Sequence, residues 1–220
     1  MKFSLLGIAA LIGVASISSA HAGVIIGAAG VTTDIPGDPR GGGDIINLIN
    51  QSGLSNAYVS GVTDFDAFVA NTHDSSTGLN TWNGAATSGN ITFDLGGVQS
   101  IESMALWNRD FTGSGIANFN LRFSNTSDFT ASTLVTGFTA ADIAAGGTSA
   151  LTLAQVFTFA VVEAAFVRLE ILSSYGASTL VSGEVIFEQA VSDVPLPAAL
   201  PLFLLGMAGF GAAARRKRAV

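Results

Sequence analysis

The sequence contains no cysteine, and between its two apolar ends it contains no lysine. Without cysteine, the chain has no disulfide framework, and its stability must come from packing or from a metal. Residues 23–193 contain four arginines against all 16 Asp and Glu residues, which gives this region a net charge of −12. Such a surface repels nucleic acid and anionic lipid, so we expect no nucleic-acid partner.

Histidine is almost as scarce, with only His21 and His73 in the chain. There is no GxSxG motif, and His73 begins a polar stretch that is typical of a loop, so serine hydrolysis is disfavoured. His21 lies in the segment 1–22 that we expect to be cleaved, and the one remaining histidine, without cysteine, cannot form the usual zinc site. Asp64 and Asp66 are two residues apart, and on a strand they would share a face without the defined separation of a glycosidase pair. We predict a non-catalytic protein, and a carboxylate-dependent cell-surface hydrolase such as a glycosidase is the alternative.

Residues 1–22 have the organisation of a secretory signal peptide. Lys2 provides the positive n-region, and residues 5–17 form an apolar segment that is too short for a comfortable membrane span. Ala20 and Ala22 occupy the small-residue positions of a cleavage site. We therefore expect export across the inner membrane and a mature chain that begins at Gly23.

The C-terminal segment 192–220 has three physically distinct parts. Val194-Pro195-Leu196-Pro197 is stiffened by proline and is preset as extended chain. Residues 198–214 are uncharged and would form a helix of about 26 Å, slightly shorter than the core of a bilayer. The basic cluster 215–218 follows directly and is expected to stay in the cytoplasm. This order predicts one transmembrane helix with the central domain outside.

These three parts together closely resemble the PEP-CTERM class of sorting signals. The resemblance is to the variant with the signature VPLPA, which is Val194, Pro195, Leu196, Pro197 and Ala198 in this chain. It implies that an exosortase of a Gram-negative bacterium recognises the motif, cuts near it and passes the protein to the cell surface or extracellular matrix. An ordinary C-terminal anchor that is never processed is the alternative.

The central region, residues 23–191, has the pattern of a single all-β domain. Alternation of apolar and polar residues predicts half-buried strands at 91–95, 119–123 and 167–171. Further strands are predicted at 101–107, 134–138, 155–161 and 181–187, separated by Gly-rich turns. One short helix is predicted at 44–51, with Asp44 as its cap. Short strands with such turns indicate an antiparallel β-sandwich or jelly roll.

The succession of segments in this region resembles the discoidin-like, or F5/8 type C, branch of the galactose-binding jelly rolls. The matching features are Trp82 and the segments ITFDLG (91–96), ALWNR (105–109), NFNLRFS (118–124), FVRLEIL (166–172) and GEVIFE (183–188). The resemblance implies a galactose-binding-like fold and an interaction with carbohydrate. It places an extracellular polysaccharide or a neighbouring matrix component among the expected partners.

Two site predictions follow for this domain. Calcium prefers oxygen ligands, and Asp64, Asp66 and the polar segment 71–83 provide them. The resemblance adds Glu184, which matches a calcium-binding glutamate on the last strand of discoidin-like modules. The alternative is that Asp64 and Asp66 are solvated or cap a helix at 66–70.

The candidate sugar site is Trp82 with Asn83, because an exposed aromatic ring can stack on a pyranose. The alternative is that Trp82 lies in the core.

Overall fold

The computed structural model describes residues 23–39, 43–74, 79–109, 113–142 and 151–191. The predicted signal peptide, its cleavage residues Ala20 and Ala22, the motif Val194–Ala198 and the predicted transmembrane helix all lie outside these ranges. Within the described ranges, no helix is long and apolar enough to cross a membrane. The strands and helices described below belong to one unit, which ends at Gln189.

The described residues form antiparallel β-structure with two very short helices. One sheet has the order β1-β10-β5-β9-β6-β7, with β2 paired to β5 and β4 paired to β10, while β3 and β8 form a separate pair. The strands are β1 (Ile25–Ile26), β2 (Gly30–Thr33), β3 (Thr72–Asp74), β4 (Trp82–Gly84), β5 (Gly89–Asn108), β6 (Ile116–Ser124), β7 (Ser132–Thr139), β8 (Leu151–Leu153), β9 (Gln155–Ser174) and β10 (Leu180–Gln189). The predicted all-β class is thereby confirmed.

Two strands, β5 and β9, are each 20 residues long. The sequence pattern predicts two short strands in each of these regions, but each region is one continuous strand. The β5–β9 ladder is interrupted between Asp94 and Gln99. Gly96 and Gly97 lie in this interruption with φ values of 75° and 156°. Since glycine has no Cβ, it adopts positive φ readily, and the strand bends here without ending. The two halves of β5 and β9 therefore serve the two layers of a sandwich.

The main core lies between the two layers. The first half of β5 turns Ile91, Phe93 and Leu95 inward, and all three are buried. Phe93 meets Phe187 of β10 edge to face, with 5.6 Å between ring centroids. Period-two alternation therefore predicts the inward residues of these strands correctly.

The outer faces of the two layers differ. In the second half of β5, Ala105 and Trp107 point away from the main core and pack in a second buried cluster with Tyr58, Phe65 and Phe68. These last three residues come from the segment 54–69, which covers this outer face. The outer face formed by β2, the first half of β5, the second half of β9 and β6 is polar.

The predicted helix at 44–51 is shorter than expected. Asp44 is the cap, as predicted, and its side chain accepts a hydrogen bond from the Ile46 N–H, but the helix is a 3₁₀ helix that ends at Leu48. Gln51 has a φ of 66°, which cannot continue a right-handed helix. Its backbone N–H donates to the Glu184 carboxylate instead.

His73 does not lie in a polar loop, and this prediction is wrong. It is in β3, paired with Thr152 of β8, and its side chain is fully buried. A Cβ at Gly183 would lie 2.7 Å from His73 Nε2, so the imidazole packs directly on the backbone of β10. The polar neighbours of His73 in the sequence hide this contact, because it depends on residues more than 100 positions away.

Candidate functional site

Trp82 lies in the core. It is in β4, opposite Ser182 of β10, and only 2% of its surface is exposed. Its ring is therefore not available to stack on a sugar, and the core alternative for Trp82 is confirmed. Asn83 is half-buried beside it and lines a cavity of about 350 Å³ together with Thr33, Asp38 and Asp44.

Asp64 and Asp66 belong to a short helix, α1 (Phe65–Phe68). Asp64 is the N-cap, and its Oδ1 accepts a hydrogen bond from the Ala67 N–H at 2.8 Å. Asp66 is exposed in the first turn, where a negative charge is favourable. The helix-cap alternative is confirmed for Asp64, although the helix begins one residue earlier than predicted and ends at Phe68.

The Glu184 carboxyl group is fully buried and forms a hydrogen-bonded triangle with Gln51 and Tyr58. Its Oε2 accepts the Gln51 backbone N–H at 2.9 Å, and its Oε1 accepts the Tyr58 hydroxyl at 3.0 Å. The Gln51 side chain closes the triangle, because it accepts from the Tyr58 N–H and donates to the Tyr58 carbonyl. Burial raises the pKa of Glu184 to about 7, although these hydrogen bonds lower it. Glu184 thus fastens the segment 51–58 to β10.

The described structure does not group these residues in the way that the predicted calcium site requires. Within the described ranges, no three His, Cys, Asp or Glu residues come together in a group that could hold a metal. Both oxygens of Glu184 already accept protein hydrogen bonds, and Asp64 caps α1. The described residues thus do not bring Asp64, Asp66 and Glu184 together as one ligand group, and the calcium site stays a prediction.

The polar outer face contains a row of side chains from successive strands. Thr32 of β2 lies opposite Thr92 of β5, which lies opposite Arg168 of β9, and Arg168 in turn lies opposite Arg122 of β6. Residues directly opposite on one face are side-chain neighbours. Asp94 and Phe166 are paired in the next row along the strands. The row thus brings two of the four arginines of the central region together.

The two arginines have different partners. Arg122 Nε is 2.6 Å from Glu170 Oε1 in an ion pair. Arg168 instead places its guanidinium over the Phe129 ring, 4.0 Å from the centroid, and its Nε donates to Thr92 Oγ1 at 3.3 Å. Phe129 comes from the turn between β6 and β7. Arg168 is therefore held in place by a ring and a hydroxyl, and within the described ranges no carboxylate forms an ion pair with its planar group.

Arg168 lines two adjoining cavities, which together form a groove along β2. The first, of about 260 Å³, is lined by Thr32, Thr33, Asp34, Asn90, Thr92 and Arg168. The second, of about 390 Å³, is lined by Gly30, Val31, Thr32, Thr92, Asp94, Ser127, Phe166 and Arg168. Thr32, Thr92 and Arg168 are common to both, so the two cavities adjoin at these residues. We call this set the β2 groove.

Asp34 is fixed at one end of the β2 groove. Its two carboxylate oxygens accept the backbone and side-chain N–H groups of Asn90, each at 2.7 Å. Burial raises the pKa of Asp34, but the hydrogen bonds from Asn90 and the charge of Arg168 outweigh it, so the pKa is lower than usual. The β2 groove thus offers charged acceptors and a charged donor within one polar surface.

The sequence pattern identifies the members of this groove as outward-facing strand residues but does not identify the groove. Thr92 and Arg168 are the polar positions of two predicted strands, which the structure confirms. Their adjacency depends on the pairing register of β5 with β9, and β2 is not predicted at all. An arginine in an alternating strand is the available signal in a chain with so few cations, but Arg122 and Arg168 share it, and only Arg168 lines the groove.

Comparison with known proteins places the fold. No family model matches the chain, and no curated protein matches it. Among solved structures, the family 32 carbohydrate-binding module of C. perfringens NanJ, in complex with galactose, is 14% identical, with a TM-score of 0.50, and the match covers 76% of this chain and 98% of that one. The domain has the fold of family 32 carbohydrate-binding modules.

Two multidomain structures that contain family 32 modules are also similar to this chain. Truncated AlyQ, with family 32 module and alginate lyase domains, is 16% identical, with a TM-score of 0.51 over 82% of this chain and 38% of that one. A Clostridium perfringens ZmpB structure with two family 32 modules and a catalytic domain is 7% identical, with a TM-score of 0.50 over 76% of this chain and 15% of that one. The predicted galactose-binding-like sandwich is thereby confirmed as the fold.

Proposed function

We propose that this protein is an exported, non-catalytic glycan-binding protein of the bacterial cell surface or extracellular matrix. The β2 groove is the observation that carries the proposal. Its lining is rich in hydroxyl, carboxylate, amide and guanidinium groups, which are the groups that hydrogen-bond sugars. The fold is one on which carbohydrate binding is known, as the galactose complex of the NanJ module shows for that protein.

The two chain ends support the location. The signal-peptide pattern of residues 1–22 favours export, and the VPLPA motif followed by an apolar segment and four basic residues favours sorting by an exosortase. In this proposal the C-terminal helix holds the chain in the inner membrane only until it is cut. The net charge of −12 in residues 23–193 suits an extracellular protein in a hydrated matrix.

Affinity electrophoresis of the protein, purified from cells that express the full chain, tests glycan binding. Gels that contain a soluble polysaccharide are compared with gels without it, across a panel of neutral and acidic polysaccharides. We expect retardation by at least one polysaccharide and no release of reducing ends on prolonged incubation. Absence of retardation by the whole panel would contradict the proposal, and release of reducing ends would instead support the surface hydrolase.

A further inference from the structure

We propose that the β2 groove binds a neutral glycan, with the Arg168 guanidinium donating to neighbouring hydroxyls of one sugar unit while Asp34 and Asp94 accept from hydroxyls on either side. This inference rests on the glycan binding proposed above and names the ligand class and the residues. It concerns the open face of a sheet and does not involve Trp82 or Glu184.

The contacts of Arg168 leave part of its guanidinium group for a ligand. Its guanidinium stacks on Phe129 and its Nε is occupied by Thr92 Oγ1, so the two remaining nitrogens are left to face a ligand. Among the described residues, neither of these nitrogens has a hydrogen-bond partner or an ion-pair partner. Stacking on a ring also fixes the plane of the group before a ligand arrives, which reduces the entropy lost on binding.

The carboxylate acceptors of the β2 groove lie on either side of Arg168. Three successive rows on the outer face contain Asn90, then Thr92 with Arg168, then Asp94, and Asp34 adjoins the Asn90 row. Alternate residues of a strand lie about 7 Å apart, so the rows extend over about 14 Å. A donor therefore lies in the middle, with a carboxylate toward each end, along the direction of the strands.

The charges of the β2 groove distinguish neutral from acidic glycans. A hydroxyl both donates and accepts, so it is satisfied by Arg168 and by Asp34 or Asp94. A uronate or sulfate group only accepts, and it would gain Arg168 but would face two carboxylates in the same groove. The net charge of −12 in residues 23–193 adds a further repulsion of polyanions. The charges of the groove thus favour a neutral chain.

The chain offers a matched pair of arginines for the test. Arg168→Gln removes the charged donor from the groove, whereas Arg122→Gln removes the neighbouring arginine of the same row, which pairs with Glu170 and does not line the groove. Thr32→Val is the second variant, because it removes a hydroxyl from the exposed edge strand β2 with a β-branched residue of similar shape. Thermal unfolding of each variant shows that it is folded.

The measurement is the affinity for soluble galactomannan, dextran, alginate and polygalacturonate at low and high salt. We expect binding to a neutral polysaccharide with little salt dependence, a loss of about tenfold or more in Arg168→Gln, a loss of severalfold in Thr32→Val, and no change in Arg122→Gln. Binding confined to the two acidic polysaccharides, or neutral binding that Arg168→Gln leaves unchanged, would overturn this inference and leave the proposed function standing. Binding to none of the four would overturn both.

Discussion

Glu184 is the residue whose ionisation has the clearest consequence for stability. Burial raises its pKa to about 7, from an ordinary value of 4.5. At a pH between these two values, Glu184 keeps its proton in the folded domain and releases it in the unfolded chain. Glu184 therefore makes its full contribution to the free energy of unfolding below about pH 4.5, and this contribution is lost as the pH rises toward 7. The total loss is on the order of 3 kcal/mol.

Glu184→Gln is expected to remove this contribution to the pH dependence. The amide resembles the protonated acid, because its oxygen accepts the Gln51 N–H and its nitrogen donates to the Tyr58 hydroxyl oxygen. The melting temperature of the variant should rise relative to the wild type as the pH goes from about 5 to about 8. The measurement is thermal unfolding of both proteins across this range.

His73 is the titratable neighbour that this comparison must account for. Burial lowers the pKa of His73, outweighing the opposing backbone hydrogen bonds and the Asp74 charge. Its contribution to stability therefore falls as the pH drops, which is opposite in sign to that of Glu184. Because both proteins contain His73, its effect cancels in the difference between them. An equal pH dependence in wild type and variant would show that Glu184 is not the responsible group.

The sequence marks Glu184 as important but does not reveal its hydrogen-bond partners. A glutamate in a closing strand matches a calcium ligand by resemblance, and no local pattern indicates that Tyr58, 126 residues away, donates to it. Trp82 illustrates the same limit. Its polar and Gly-rich neighbours leave core and surface equally open, and the β4–β10 pairing that buries it is non-local. Side-chain environments set by long-range register are the part that sequence cannot supply.

At the scale of elements, the period-two pattern predicts well wherever a strand has one buried and one polar face. The predicted strands at 91–95, 119–123 and 167–171 all exist, and they are neighbours in one layer. The same pattern cannot show that β5 and β9 continue through a bend, because Gly96 and Gly97 look like a turn that ends a strand. Strands as short as β1, with two residues, carry no period at all.

Helix α1 provides a prediction for one element. Asp64→Ala removes the side-chain acceptor for the Ala67 N–H, and we expect a loss of about 1 kcal/mol in the free energy of unfolding. Asp66→Ala is the matched control, since Asp66 is exposed and caps nothing, and its effect should stay within about 0.5 kcal/mol. Urea denaturation of both variants measures the difference.

The same pair also tests the calcium ligand set. If Asp64 and Asp66 were ligands, excess calcium would raise the melting temperature of the wild type, and either substitution would abolish the rise. We expect no dependence on either residue, because Asp64 is engaged as a cap. A calcium response that disappears in both variants would support the predicted ligand set.

At the scale of the whole molecule, charge is divided between the domain and the tail. Residues 23–193 have a net charge of −12, whereas Lys2 and the cluster 215–218 provide the other five positive charges. Removal of both ends would therefore leave a strongly acidic protein without lysine. Cleavage at both ends therefore lowers both the mass and the isoelectric point of the protein. Cleavage at one end alone would give a different mass and a different isoelectric point.

Intact mass of the protein recovered from cells and from culture medium tests this processing. We expect the species in the medium to begin near Gly23 and to end within Val194–Ala198, because the signal peptide and the sorting motif each specify one cut. Isoelectric focusing should show the same species as more acidic than the full chain. If the only species is membrane-bound and still ends at Val220, the tail is a plain anchor. A role in the matrix would then lose its main support, while glycan binding at the cell surface would still be testable with the same groove variants.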